Sequence, residues 1–344
     1  MTTLNVGIIG TGMIAHGAHA EAFGAVKGVK VLAACDTDRP RLEAFAGKYH
    51  IPKLYTDYEK LVADDELEAV SVALPVFLHA PASIAALQAG KHVLCEKPMA
   101  RNGAEAQAMV DAAKRARRKL AIYYRRRFSR DAVMAKRLID QGKLGKVYYA
   151  RSIQLRWRGR PGFDRGMAQF GKWFTRKKEA GGGPLMDLGG YDLDLMLGLL
   201  DFPKVKSCAA VTFQEIDQER ARREGFDLED LGVGIVRLRD GRALFLESSF
   251  AGNIDEPTGF WFFGSLAGLR LGPLTIFRDR AGRKHAREID CSHVRTTSAV
   301  RQFVDAIRND EPIAISSGEQ ALLVTRIQDA LYRSAEIGHE VPYE

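Results

Sequence analysis

The 344-residue chain predicts an α/β fold in two parts: a doubly wound parallel sheet over 1–125, then an α+β half over 126–344 with a large, mainly antiparallel open sheet. Three observations carry this. Short apolar runs alternate with amphipathic stretches through the first 125 residues, the rhythm of parallel strands joined by helical crossovers. A glycine-punctuated turn, Gly10-Thr11-Gly12, links the first such pair. Later the alternation shortens to period two, with turn signals such as Asp240-Gly241 and Ala281-Gly282 between runs, as antiparallel neighbours with one covered face require.

In chain order, strands are expected at 4–9, 30–35, 69–74, 91–95 and 119–124. The intervening helices, at 12–26, 38–49, 77–89 and 102–117, are each long enough for a right-handed crossover. A helix at 129–141 precedes an alternating strand from Val147 to Leu155. Strand-like runs follow at 204–216, 231–239, 242–250, 258–264, 268–277 and 284–289, with helices at 184–200, 296–308 and 318–336.

Composition excludes several classes. Hydrophobic residues at 46% and charged residues at 27% give the ordinary globular balance. No apolar run reaches the roughly 18 residues of a membrane span, and no basic leader precedes Leu4, so a soluble cytoplasmic protein without a membrane partner is expected. The net charge of +8 is a mild excess of base. Its clusters at 114–119, 125–127 and 176–178 lack interleaved aromatics, which speaks against nucleic acid; the first suits a solvated helix end, the other two an anionic ligand. Cys35, Cys95, Cys208 and Cys291 are far apart, and His16 and His19 have no third ligand near them in sequence, so no metal is expected.

Gly10-Thr11-Gly12-Met13-Ile14-Ala15 ends a strand and opens a helix, the setting that gives GxGxxA its meaning. The first glycine permits the tight turn, the second admits a pyrophosphate to the backbone, and Ala15 allows close helix packing. The first half is therefore expected to be a Rossmann dinucleotide-binding domain. Asp36, ending the second strand, is placed to accept hydrogen bonds from an adenosine ribose, which favours NAD. Arg39 or Arg41 could instead meet a 2′-phosphate, leaving NADP open, and Asp36 could simply cap the next helix. Met13, Ile14, Leu74, His79 and Glu96 complete the expected cofactor face.

Cys95-Glu96-Lys97-Pro98 lies at the carboxyl edge of the sheet, where ligands bind in open α/β folds. An ammonium there can bond a substrate oxygen, although a surface lysine before a turn proline is the plainer reading. The run from Gly181 to Asp194, GGGPLMDLGGYDLD, starts a helix at Pro184 with Asp187, Tyr191 and Asp194 spaced i, i+4 and i+7. Carboxylates on so apolar a helix are costly unless paired or functional, and Gly189 and Gly190 suggest close approach to its backbone.

Together GTGMIA, Asp36, the Glu96-Lys97-Pro98 motif and the GGG…DLGGY helix resemble the Gfo/Idh/MocA oxidoreductases over almost the whole chain. The resemblance implies an NAD(P)-binding first domain, a second domain whose open sheet mediates dimers or tetramers, a cis peptide before Pro98, and Lys97 in the active site with Asp187. Inositol dehydrogenase-like members mostly carry histidine four residues after that aspartate. Tyr191 stands there instead, as in members resembling glucose-fructose oxidoreductase and the dimeric dihydrodiol dehydrogenases, and is expected to be an alternative acid/base group. Tyr123-Tyr124-Arg125 replaces a common Gly-Phe-Asn-like run, which would add a cation. The expected activity is hydride transfer between a nicotinamide and a sugar, sugar derivative or cyclitol, with Tyr191, Lys97 and Asp187 catalytic. Arg125, Trp157, Arg160 and Trp173 are candidate substrate contacts. A cofactor-binding sensor and a redox-neutral NAD enzyme are the alternatives.

Overall fold

The computed structural model describes residues 3–164, 171–254 and 258–343 and divides into two units. The first contains Met1–Tyr124 and Thr297–Leu322; the second contains Arg125–Thr296 and Leu323–Glu344. The expected division at 125/126 differs in two respects: Arg125 falls in the second unit, and 297–322, read from sequence as part of the second half, clusters with the first.

In the first unit the strands are β1 (Leu4–Ile9), β2 (Val29–Cys35), β3 (Lys53–Tyr55), β4 (Ala69–Val72), β5 (His92–Cys95) and β6 (Leu120–Ile122). All are parallel, in the order β3-β2-β1-β4-β5-β6, so β1 and β4 are central and β4 is buried throughout. The crossovers carry α1 (Ala22–Gly24), α2 (Arg39–Tyr49), α3 (Tyr58–Val62), α4 (His79–Gln88) and α5 (Gly103–Ala116). Asp38 and Asn102 start α2 and α5 by accepting the Arg41 and Glu105 amide N–H groups. β3 was not legible: three residues with a lysine among them make no apolar run. The helix expected at 12–26 is π-helical over Ala15–Glu21 before the short α1.

The second unit opens with α6 (Arg130–Asp140) and β7 (Val147–Gln154), followed by α7 (Lys177–Ala180) and α8 (Pro184–Leu199). Then come β8 (Val205–Phe213), α9 (Gln218–Glu224), β9 (Leu231–Leu238), β10 (Ala243–Ser249), β11 (Gly259–Gly264), β12 (Gly268–Leu271), β13 (Thr275–Arg280) and β14 (Arg283–Glu288). After α10 (Ala299–Arg308) in the first unit, α11 (Gly318–Ile337) and β15 (Val341–Pro342) close the chain. The second sheet runs β14-β13-β12-β11-β7-β10-β9-β8-β15, antiparallel except where β7 and β10 pair parallel. The run read as one strand at 268–277 is two, because Gly272 takes φ +79° and Pro273 has no N–H to continue a ladder. Packed against β10, α8 buries every residue except Tyr191 and Gly198.

Candidate active site

In the first unit, Gly10 leaves β1 at φ +92°, and a Cβ there would lie 2.3 Å from the Ala73 carbonyl oxygen and 3.2 Å from Leu74 Cδ2, so only glycine fits. A Cβ on Gly12 would meet nothing within 4 Å, while Ala15 is fully buried. The turn is closed at Gly10 and open at Gly12, with Met13 and Ile14 exposed beside it. This shape lets an anion reach amide groups at a helix start.

Asp36, at the end of β2, is buried and fully engaged. Its Oδ2 accepts the Thr11 N–H and hydroxyl, both at 2.8 Å, and its Oδ1 accepts the Asp38 N–H at 3.0 Å. Arg41 grips both oxygens, through Nη2 at 2.7 Å and Nε at 3.2 Å. Burial pushes the carboxyl up, but Arg41, Asp38 and Thr11 outweigh it and hold Asp36 below the usual range. The helix-capping role belongs to Asp38, and Arg39 turns outward to Glu43 at 2.8 Å, leaving Arg41 as the cation paired with Asp36. His79 Nδ1 and Nε2 lie 2.7 Å from the Pro98 and Leu74 carbonyl oxygens, tying the segment after β4 to the one after β5; burial lowers its pKa against both carbonyls. Lys97 is half-buried at a cis peptide bond before Pro98, and Glu96 is buried next to it.

In the second unit α8 carries Asp187, nearly buried, and Tyr191, partly exposed. Glu229 caps the helix: its carboxylate accepts the Gly183 N–H at 3.0 and 3.1 Å and the Leu185 N–H at 3.3 Å, and it accepts the Tyr332 hydroxyl at 2.6 Å. The preceding glycines make room for this, since a Cβ on Gly182 would lie 2.2 Å from the Tyr332 oxygen and one on Gly183 2.7 Å from the Glu229 carbonyl. Close approach at Gly189 comes from the sheet, with Leu246 Cδ1 3.1 Å from a Cβ position.

The expected polar stripe divides. Asp194 is wholly buried in a two-pronged pair with Arg127, at 2.8 and 2.9 Å, and is structural. Its neighbour Asp192, also wholly buried, bonds Arg126 and the Ser152 hydroxyl. Arg126 further lies 5.3 Å from the Tyr191 ring centroid and 5.0 Å from that of Phe260. Thus Arg126 lies over the candidate phenol, and Arg125 is exposed.

One expected substrate contact is corrected, and a second, Trp173, is only partly buried. Arg160 is fully buried and ion-paired to Asp164, Asp217 and Asp230 at 2.9, 3.0 and 3.3 Å, so its charge is spent inside the fold. Trp173 packs on Phe174, with centroids 4.4 Å apart, against a small core of Phe163, Ala180, Ala221, Phe226 and Leu228. Of the four candidates Arg125 and Trp157 stand exposed, Trp157 beneath the Arg158 guanidinium. Thr11, Arg126 and Glu229 were missed because their partners lie 25 to 66 residues away and spacing does not reveal such pairs. Among the described residues, no group of three metal-binding side chains forms and no helix is long and apolar enough to cross a membrane.

Residues 4–124 match the model of an oxidoreductase family with an NAD-binding Rossmann fold, and 133–270 match the GFO/IDH/MocA C-terminal domain. The D-glucoside 3-dehydrogenase of Escherichia coli K12 is 33% identical, over 98% of this chain and 97% of its own. Among solved structures, an oxidoreductase domain protein from Kribbella flavida superposes with TM-score 0.86 at 24% identity over the whole of both chains. Levoglucosan dehydrogenase in complex with NADH does so with TM-score 0.85 at 22% identity, again end to end. These two establish likeness of fold.

Proposed function

The chain belongs to the Gfo/Idh/MocA oxidoreductase family, and from that premise we propose that it transfers a hydride between a nicotinamide cofactor and a carbinol carbon of a sugar, sugar derivative or cyclitol. The observation that carries this reading is the end-to-end relationship to a D-glucoside 3-dehydrogenase. Gly10, Gly12, Met13 and Ile14 would hold the dinucleotide phosphates, and Asp36 with Arg41 the adenosine ribose; Leu74, His79 and Glu96 form the rest of that face. The open space at Gly12 and the two exposed apolar side chains beside it fit such a ligand. When bound, NAD or NADP supplies the hydride chemistry at nicotinamide C4.

The protein's own part is proton management and positioning. Lys97 donates a hydrogen bond to the reacting oxygen and polarises it. Tyr191 takes or returns the hydroxyl proton, and Asp187 orients the hydroxyl, as general acid–base catalysis requires. Arg125 and Trp157, both exposed, remain the substrate contacts we assign.

We also assign an oligomer contact to the open face of the second sheet, where Val211, Phe213 and Ile235 stand exposed on one side of the paired strands β8 and β9. The chain is proposed to work as a cytoplasmic homodimer or homotetramer.

The deciding assay is absorbance at 340 nm with NAD and then NADP against D-glucosides, aldoses, deoxy and anhydro sugars and inositols. Turnover that disappears in Lys97→Ala, while calorimetric cofactor affinity stays within a few-fold, supports the reading. Full activity of Lys97→Ala overturns the assigned site. Silence across the panel with tight NAD(H) binding overturns it in favour of a sensor or a redox-neutral enzyme.

A further inference from the structure

A buried line of hydrogen bonds ends at Lys97 within the first unit. It starts in the π-helix over Ala15–Glu21, a form seldom seen except as short insertions at functional positions. In this segment the two histidines diverge. His16 Nδ1 lies 3.0 Å from the Tyr49 hydroxyl and its ring packs on Phe45. His19 is wholly buried, with Nδ1 2.6 Å from Ser71 Oγ on β4 and Nε2 3.1 Å from Glu96 Oε1. Its ring centroid is 5.1 Å from that of Tyr123. Glu96 Oε2 then accepts the backbone N–H of Lys97 at 3.1 Å. Both oxygens of a buried glutamate are therefore engaged, one by the π-helical histidine and one by the backbone of the candidate catalytic lysine.

Serine, histidine and carboxylate in this order resemble a hydrolase triad, but Ser71 is wholly buried, so no acyl group can reach it.

We propose that His19 is a positioning residue, fixing the Glu96 carboxylate as the negative charge beside Lys97 and thereby setting the position and charge state of that lysine. The consequence for turnover rests on the proposed role of Lys97. Burial alone would push the Glu96 carboxyl up; the bond and charge of His19, the Lys97 charge and the Lys97 N–H outweigh it, and Glu96 sits below the usual range. Without a donor from residue 19, burial is opposed less and the Glu96 carboxyl rises, weakening the negative charge beside Lys97. Lys97 then gives up its own proton at lower pH. The other titratable groups facing this pair in the first unit are His79 from α4, Cys95 at the end of β5 and Tyr123 after β6. Burial lowers the pKa of His79 and pushes the Cys95 thiol far up; an imidazole cannot carry the missing negative charge and the thiol does not.

The test needs no substrate. Lysines of the whole protein are labelled by reductive 13C-methylation, Lys97 is assigned by the signal missing from Lys97→Arg, and its titration is followed by NMR. His19→Asn keeps an amide near Ser71 but stops short of Glu96, whereas His19→Gln extends an amide N–H to it. In His19→Asn, and equally in Glu96→Gln, Lys97 should deprotonate about one pH unit lower than in the wild type, with His19→Gln, which restores the bond but not the charge of His19, shifted clearly less. With a turnover substrate, the corresponding limb of the kcat–pH profile should move by the same amount in His19→Asn, NAD affinity staying within a few-fold. A Lys97 titration unmoved in His19→Asn overturns the proposal, and so does an equal shift in His19→Gln. Should His19→Asn fail to fold, Glu96→Gln and His19→Gln still decide, because equal Lys97 titrations in those two variants also overturn it. An active Lys97→Ala would remove the catalytic role of Lys97 and leave this titration to judge His19 separately.

Discussion

Arg127 and Asp194 offer the sharpest energetic test, because they pin the helix that carries Asp187 and Tyr191. The Asp194 carboxylate is fully buried and Arg127 nearly so, with two hydrogen bonds of 2.8 and 2.9 Å between them. Burial still raises the Asp194 carboxyl despite the guanidinium, so the pair only partly recovers its desolvation. Asp194→Leu leaves a buried guanidinium without its counter-charge and should cost about 3–5 kcal/mol; Arg127→Met should cost about as much. The double variant removes both charges and should return to within about 1–2 kcal/mol of wild type, or exceed it. Gly198→Ala is an independent probe. Its Cβ would lie 2.2 Å from Arg127 Cδ, so the variant should lose stability although alanine favours a helix over glycine by about 1 kcal/mol. All three tryptophans, Trp157, Trp173 and Trp261, lie in the second unit, so urea unfolding followed by tryptophan fluorescence reports on this unit. Single-variant losses below 1 kcal/mol, or losses that add in the double variant, would refute the reasoning.

Asp192 gives a pH signature. Burial pushes its carboxyl from 3.8 up to about 6 against Arg126 and Ser152. Between those values the folded state holds a proton that the unfolded state has released, so stability falls as pH rises from about 4 to 6, by about 3 kcal/mol in all. Asp192→Asn should lack this slope in urea titrations at pH 4.5 and 7, and a slope equal to wild type would refute the assignment. Asp36→Ala should weaken NAD about tenfold and narrow the gap to NADP, while Arg41→Ala should weaken NADP selectively; calorimetry showing neither change removes this pair from the ribose. Phe213→Lys should lower the mass measured by light scattering with cofactor binding intact, and an unchanged mass would move the oligomer contact off this face.

The glycine turn, the major strands of the first sheet and the antiparallel second half were legible because each is written in neighbouring residues. Tight turns need glycine locally, and strand periodicity repeats within a few positions. The rest was written across distance. Arg160 reads as a lone cation until Asp217 and Asp230 fold onto it, more than 50 residues later. Asp194 reads as part of a functional stripe until Arg127 is found opposite. The π-helix over Ala15–Glu21 escaped for a different reason: an extra residue in one turn leaves the helical composition of the segment unchanged.

The return of 297–322 to the first unit shapes how this chain emerges from the ribosome. Phe23, behind the π-helix, meets Phe303 of α10 edge to face at 6.5 Å, both fully buried, and Arg308 binds the Lys27 and Gly28 carbonyls. The first 124 residues therefore wait, with Phe23 unsheltered, while 172 residues of the second unit are translated before their lid arrives. At about 5–20 residues per second, that interval is roughly 10 to 35 seconds. A fragment ending near residue 125 should inherit the same exposed patch permanently, which makes it a poor proxy for the cofactor-binding unit.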